Sequence, residues 1–223
     1  MTIASEEEAR AFVAQFAHGS SAAEAMERLD RLASLLVAEN EQQNLIARAT
    51  ISAIWQRHIA DSVQLLTHVP RETLAVLDEG DVWLDLGTGA GFPGLVIAAL
   101  RPAWNVRLVE SRRKRVEWLA RVIIELQLGQ CSVAGQKLEL VESFAAAVIS
   151  ARAFAPMPRL LDLSARFSTN DTFWLLPKGR SAAQDLAALP ESKRALFHVE
   201  QSRTDSEAGI VVGRLEQKAP KTR

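Results

Sequence analysis

The chain has 223 residues, 48% hydrophobic and 24% charged, with 26 Lys+Arg against 27 Asp+Glu and a formal net charge of −1. That length holds one sizeable core with an appendage rather than two independent domains, and the near-neutral balance excludes a protein held to polyanions by bulk charge. A lone cysteine, Cys131, excludes an internal disulfide and suits a reducing compartment. No apolar run approaches the roughly 20 residues of a membrane span, and the first twenty residues, with Glu6, Glu7 and Glu8, lack the order of a secretory signal. A soluble, cytoplasmic protein without membrane contact is expected.

Residues 1–79 read as a helical extension. Ser5 can cap a first helix to about Phe16, and the three glutamates complement the dipole of its first turn. Ser21 and Glu24 form a capping box for a second helix, whose stripe Ala25, Leu29, Leu32, Leu36 follows the period of a core-facing surface. Asn44-Leu45-Ile46 lies in the break after it. Thr50 opens a third helix, ended by Pro70, that carries Arg57, His58, Asp61 and Ser62. Arg57 and Asp61 stand at i, i+4, and His58 and Asp61 at i, i+3, so the spacing predicts that all three meet on one face. No H-E-x-x-H pattern or cysteine pair marks a metal site.

Over residues 80–216 the rhythm changes to alternating strands and helices, the pattern of a parallel sheet covered on both faces. Val82-Trp83-Leu84 is a short strand ended by Asp85. Gly87, Gly89, Gly91 and Gly94 crowd the turn that follows, Pro93 suits the first turn of a helix, and Leu95 to Leu100 supply its body. Such a strand–turn–helix lets a ligand approach bare backbone. A carboxylate at Asp85 repels a pyrophosphate and attracts a cation, which favours the sulfonium and ammonium of S-adenosylmethionine over NAD. Glu110 ends a second apolar strand, Arg107 to Glu110, 19 residues past Gly91, where such folds set an acid against ribose hydroxyls.

A helix from Arg112 to Leu128 is expected to stop at Gly129. Further strands follow at Cys131 to Gly135, Ala146 to Ser150 and Thr172 to Leu176, the last running into Pro177-Lys178-Gly179. One helix is expected to begin near Pro156 or Met157, before the strand at Thr172, and another to follow Gly179 up to Leu189. Two closing runs, Leu196 to Val199 and Ile210 to Leu215, predict an antiparallel hairpin at one sheet edge. The tail, residues 217–223, is polar and basic, with fraying expected.

Charge is unevenly placed. Residues 101–121 hold seven basic groups against Glu110 and Glu117, a local balance of +5. Several open the helix at Arg112, where the dipole prefers acids, and that conflict points to an anionic partner. Ligands of open α/β sheets bind beyond the carboxyl ends of the strands. Asp85, Glu110, Glu139, Arg152 and Lys178 all fall there, acids first and then bases.

The motifs N-L at Asn44-Leu45, R-H-I-x-D-S at Arg57 to Ser62 and D-L-G-T-G-A-G-F-P-G at Asp85 to Gly94 resemble those of the RsmG (GidB) family. So do E-S-x-x-K-R at Glu110 to Arg115, V-I-S-A-R-A through Arg152, and K-G at Lys178-Gly179. These bacterial enzymes methylate guanine N7 in 16S ribosomal RNA. The resemblance implies an α/β class I S-adenosylmethionine-dependent methyltransferase: a Rossmann-like, mostly parallel seven-stranded sheet, antiparallel at one edge, with an N-terminal helical extension.

S-adenosylmethionine is then the donor and S-adenosylhomocysteine the product. Asp85, Gly87, Gly89, Gly91, Phe92, Glu110, Leu138, Glu139 and Arg152 are the expected cofactor residues. Arg57, His58, Lys114, Arg115, Arg152 and Lys178 are expected to meet RNA. The implied target is guanine 527 of 16S rRNA, reached as free RNA or in the small ribosomal subunit, by a monomer. Guanine N7 offers an in-plane lone pair and no proton, so no general base is needed. Catalysis reduces to positioning, with Arg152 the best candidate. Rival readings are a small-molecule methyltransferase on the same fold, an NAD-dependent oxidoreductase, which Asp85 disfavours, and a non-catalytic RNA-binding module.

Overall fold

The computed structural model describes residues 2–17 and 22–215. The capping box through Ser21 and the basic tail from Gln217 lie outside the described residues. Seven strands, β1 (Val82–Leu86), β2 (Asn105–Val109), β3 (Cys131–Ala134), β4 (Val148–Ser150), β5 (Phe173–Gly179), β6 (Phe197–Gln201) and β7 (Gly209–Arg214), make one sheet in the order β3-β2-β1-β4-β5-β7-β6. The first five pair in parallel, and β7 lies antiparallel between β5 and β6. The predicted mostly parallel α/β sheet and edge hairpin are both present. β1 is buried at every position, as a central parallel strand covered on both faces must be.

Alternate side chains of the strands feed two cores. On one face Trp83, Val106, Leu108, Leu175 and Val212 join α1 (Glu6–Ala14), α2 (Ala22–Asn40) and the helices Gly94–Leu100 and Arg113–Glu125 in a single buried cluster. On the other, Val82, Leu84, Leu86, Ile149, Trp174 and Leu176 pack against the helix Met157–Ser164. The N-terminal helices are thus sealed to the sheet through Gly94–Leu100, and Leu29, Leu32 and Leu36 of the α2 stripe are fully buried. Ser5 caps α1 by accepting from the Glu8 amide at 3.1 Å. Among the described residues no helix is long and apolar enough to cross a membrane.

Two local expectations need correction. Residues 48–68 are helical but not one α-helix. A 3-10 stretch (Arg48–Ala53), a π-helix (Trp55–Ala60), a short α turn (Asp61–Val63) and a second 3-10 stretch (Gln64–His68) succeed one another. The widened turn is capped from α1, since the Glu6 carboxylate accepts from the Trp55 and Gln56 amides at 3.0 and 2.7 Å. The Arg10 guanidinium lies 4.1 Å over the Trp55 ring. A separate helix, Arg71–Asp78, follows Pro70.

The helix Arg113–Glu125 ends at Gln127, φ 54°, not at Gly129. The Leu128 amide donates to the Ile123 carbonyl and the Gln127 amide to Ile124, the paired bonds of a Schellman stop. Leu126 and Leu128 are buried while Gln127 is exposed, so burial of the two leucines fixes the break two residues before the glycine.

Candidate cofactor cleft and substrate cavity

The carboxyl ends of β1, β2 and β4 converge on the glycine loop. Asp85 lies at the end of β1, level with Leu108 of β2 and Ser150 of β4. Its side chain is deeper than its place at a strand tip suggested, for it is fully buried and stays beneath the loop. One oxygen accepts from the Gly94 amide at 3.0 Å, tying the start of the following helix to the strand. The other accepts from the Ser150 hydroxyl at 2.8 Å, and Ser150 in turn accepts from the Trp83 indole at 2.9 Å. Burial pushes the Asp85 carboxyl up to about 6, against the pull of the Ser150 and Gly94 bonds and the Arg152 charge.

Gly94 has to be glycine, because a Cβ there would collide with Leu108 and sit 2.9 Å from the Asp85 carboxylate. Pro93 stands just before this helix rather than in its first turn.

A cleft of about 440 Å³ opens above, lined by Gly87, Glu110, Arg115, Leu138, Glu139 and Phe154 among others. Glu110 is the residue on which it is built. One oxygen accepts from the Gly89 amide at 3.2 Å, the other from the Ser111 and Arg112 amides at 2.8 Å each. The anion demanded by the start of a basic helix is therefore supplied from the strand before it, which resolves the charge conflict read in the sequence. Arg115 pairs with Glu110 at 3.7 Å, which turns it toward this cleft. Leu138 is buried and Glu139 exposed, on a 3-10 turn whose carbonyls accept from Arg166 at 3.2 Å.

A larger cavity of about 760 Å³ lies beside it, lined by Thr50, Arg57, His58, Asp61, Arg152, Lys178, Thr204 and Asp205 among others. The two spaces share the loop residues Ala153 to Pro156. Arg57, His58 and Asp61 do all reach this cavity, but they do not pair with one another. Arg57 meets Asp205 at 3.1 Å. Asp61 faces Arg152 at 3.6 Å, and its other oxygen accepts from Thr204 at 2.6 Å and Gln64 at 2.8 Å. The π-helical turn displaces the α-helical spacing on which the same-face expectation rested, and the hairpin loop supplies the true partners.

His58 bonds through Nε2 to the Thr50 hydroxyl at 2.8 Å and stacks on Phe92, centroids 5.1 Å apart. Burial first, then the Arg152 and Arg57 charges, lower its pKa to about 3, so it is neutral at physiological pH. Phe92 is buried, with the Arg152 guanidinium 5.2 Å from its ring. Lys178 donates to the Ala155 carbonyl at 3.2 Å, and burial lowers its pKa.

The sequence-predicted residues thus divide. Gly87, Glu110, Leu138, Glu139 and Arg115 line the smaller cleft; Arg57, His58, Arg152 and Lys178 line the larger cavity. Asp85 and Phe92 are buried and line neither space, Gly89 is bonded to Glu110, and Gly91 holds the loop at φ 106°. Lys114 stands apart, exposed beside Glu39 and Arg121. Sequence reasoning missed Gln64, Thr204 and Asp205, whose partners are remote in the chain, and Phe154, which only its nearness to Arg152 could have flagged.

A family model described as GidB, rRNA small subunit methyltransferase G, matches residues 25–209. "Ribosomal RNA small subunit methyltransferase G" of Erythrobacter litoralis is 58% identical over 95% of this chain and 97% of its own length. The protein so named from Novosphingobium aromaticivorans is 56% identical over 96% of this chain and 90% of its own. Among solved structures, a mutant of MtNAS in complex with S-adenosylmethionine superposes with a TM-score of 0.52 at 14% identity, over 84% of this chain and 71% of that one, a likeness of fold. With a family model matching residues 25–209 and relatives above half identity over nearly their full length, the chain belongs to the rRNA small subunit methyltransferase G (GidB) family.

Proposed function

We propose that the protein transfers a methyl group from S-adenosylmethionine to N7 of a guanine in 16S rRNA, guanine 527 by resemblance to its family. The observation that carries this reading is the pairing of two spaces across one loop: a cleft beside Gly87 of the glycine turn, lined by Glu110 and Glu139, and a larger cavity edged by Arg57, Arg152 and Lys178. The cleft's donor and acceptor set fits the cofactor. The Glu110 carboxylate would suit ribose hydroxyls, Leu138 would offer an apolar contact to the adenine, and the buried Asp85 carboxylate, though not itself in the cleft lining, would favour a cationic ligand. When bound, S-adenosylmethionine supplies an electrophilic methyl group whose transfer to a ring nitrogen leaves a neutral thioether and a cationic base.

The chain's own residues orient and exclude water. Arg152, held by Asp61 and laid on Phe92, is aimed into the larger cavity, where its fork suits guanine O6 or a phosphate. His58 stays neutral and adds no charge beside the site. No proton has to move, so positioning supplies the catalysis. The setting proposed is a cytoplasmic monomer acting on the small ribosomal subunit or its RNA.

Arg152→Ala tests this reading. It should retain S-adenosylhomocysteine binding and lose most transfer of labelled methyl to unmodified small-subunit RNA; an unchanged transfer rate would contradict it.

A further inference from the structure

The loop after β4 carries Ala153 at φ 53°, a left-handed conformation uncommon for a residue with a Cβ. Such strain collects at functional sites. Of the two spaces, Arg152 before this turn borders the larger cavity alone, while Phe154 after it borders both. The Phe154 ring lies against Gly87, where any Cβ would collide with it, yet the residue is only half-buried.

The other rings nearby are already engaged. His58 is stacked on Phe92 and bonded to Thr50, and Phe92 also carries the Arg152 guanidinium; their exposures are 7% and 2%. Among the described residues lining the two spaces, Phe154 is the half-exposed phenyl ring at their junction.

We propose that Phe154 is the stacking platform for the target base, holding the purine where the cofactor cleft opens into the larger cavity. This inference rests on the function proposed above. A base drawn out of an RNA loop loses its stacking neighbours, and an aromatic face restores that contact. In the transfer the N7 lone pair forms the new N–C bond, the C–S pair stays with sulfur, and no proton leaves. The purine therefore becomes cationic. A π face attracts a cation more strongly than a neutral ring, so the contact strengthens toward product and aids the chemical step as well as binding.

The test uses the full chain with Phe154→Leu, which keeps apolar bulk and removes the π face, and Phe154→Trp, which enlarges it. Three quantities are read: single-turnover methyl transfer to unmodified small-subunit RNA, S-adenosylhomocysteine affinity by calorimetry, and affinity for N7-methylated against unmethylated RNA with S-adenosylhomocysteine present. The leucine variant should transfer about tenfold more slowly and lose several-fold of the wild-type preference for methylated RNA. The tryptophan variant should stay within a few-fold of wild type, and both should bind S-adenosylhomocysteine normally.

Transfer by the leucine variant at the wild-type rate would overturn the proposal. So would a parallel loss of S-adenosylhomocysteine binding, which would assign the ring to the cofactor or the fold. If wild type binds S-adenosylhomocysteine but transfers nothing to this RNA, the function reading itself falls, and this inference with it.

Discussion

Replacing Asp85 with asparagine tests the electrostatics of the site floor. The carboxyl is fully buried, and burial raises it from 3.8 to about 6. The folded chain then holds this proton more tightly than the unfolded chain does. Its contribution to stability is fully present below about pH 4 and is lost as pH rises through about 6. A rise of two units corresponds to about 3 kcal/mol.

Asparagine cannot titrate. It keeps an acceptor for the Ser150 hydroxyl but turns an amide N–H₂ toward the Gly94 amide, a fixed cost of about 1–3 kcal/mol. Urea unfolding of both proteins at pH 4, 5, 6 and 7 separates the two effects. The wild-type advantage over Asp85→Asn should shrink by about 2 kcal/mol from pH 4 to pH 7, the rest of the change falling below pH 4. A constant gap across that range would refute the raised carboxyl and with it the account of Asp85 as a buried, reluctantly ionised group. Since only the ionised form attracts a cation, S-adenosylmethionine affinity should also fall below about pH 6 in wild type and not in the variant.

His58 titrates in the opposite sense. Lowered to about 3, it contributes stability that is complete above about pH 6.5 and is lost as pH falls, so His58→Phe should flatten acid destabilisation by about 2 kcal/mol between pH 6.5 and 5; identical pH profiles for the two proteins would contradict this. Gly94→Ala forces a Cβ into Leu108 and toward Asp85, and should cost about 1–3 kcal/mol, read as a lower thermal midpoint and weaker cofactor binding. Asp61→Asn removes the charge that holds Arg152 at 3.6 Å; methyl transfer should fall while S-adenosylhomocysteine affinity stays near wild type, and loss of both together would place Asp61 in the fold rather than in Arg152 positioning.

What the sequence made legible was local. The mostly parallel sheet followed from the alternation after Val82, the hairpin from two β runs without an intervening helix, and the cleft from four glycines and the carboxylate 19 residues beyond Gly91. The larger cavity was legible only in its residue types. Its bonds join Arg57 to Asp205, Asp61 to Thr204, and Gln64 to Ser202, separations of 138 to 148 residues that no helical spacing encodes. The π-helical turn depends on Glu6 reaching Trp55 and Gln56 from another helix, a contact invisible to periodicity. Phe154 went unnoticed because an alanine, not a glycine, takes the left-handed turn beside it.

The most direct measurement is methyl transfer from labelled S-adenosylmethionine to unmodified small ribosomal subunits and their free 16S rRNA, with the modified position mapped afterwards. The account predicts label on N7 of a single guanine, guanine 527 by family resemblance, weakened steeply by salt. Label on another atom, or none on RNA while a small molecule is methylated, would contradict it.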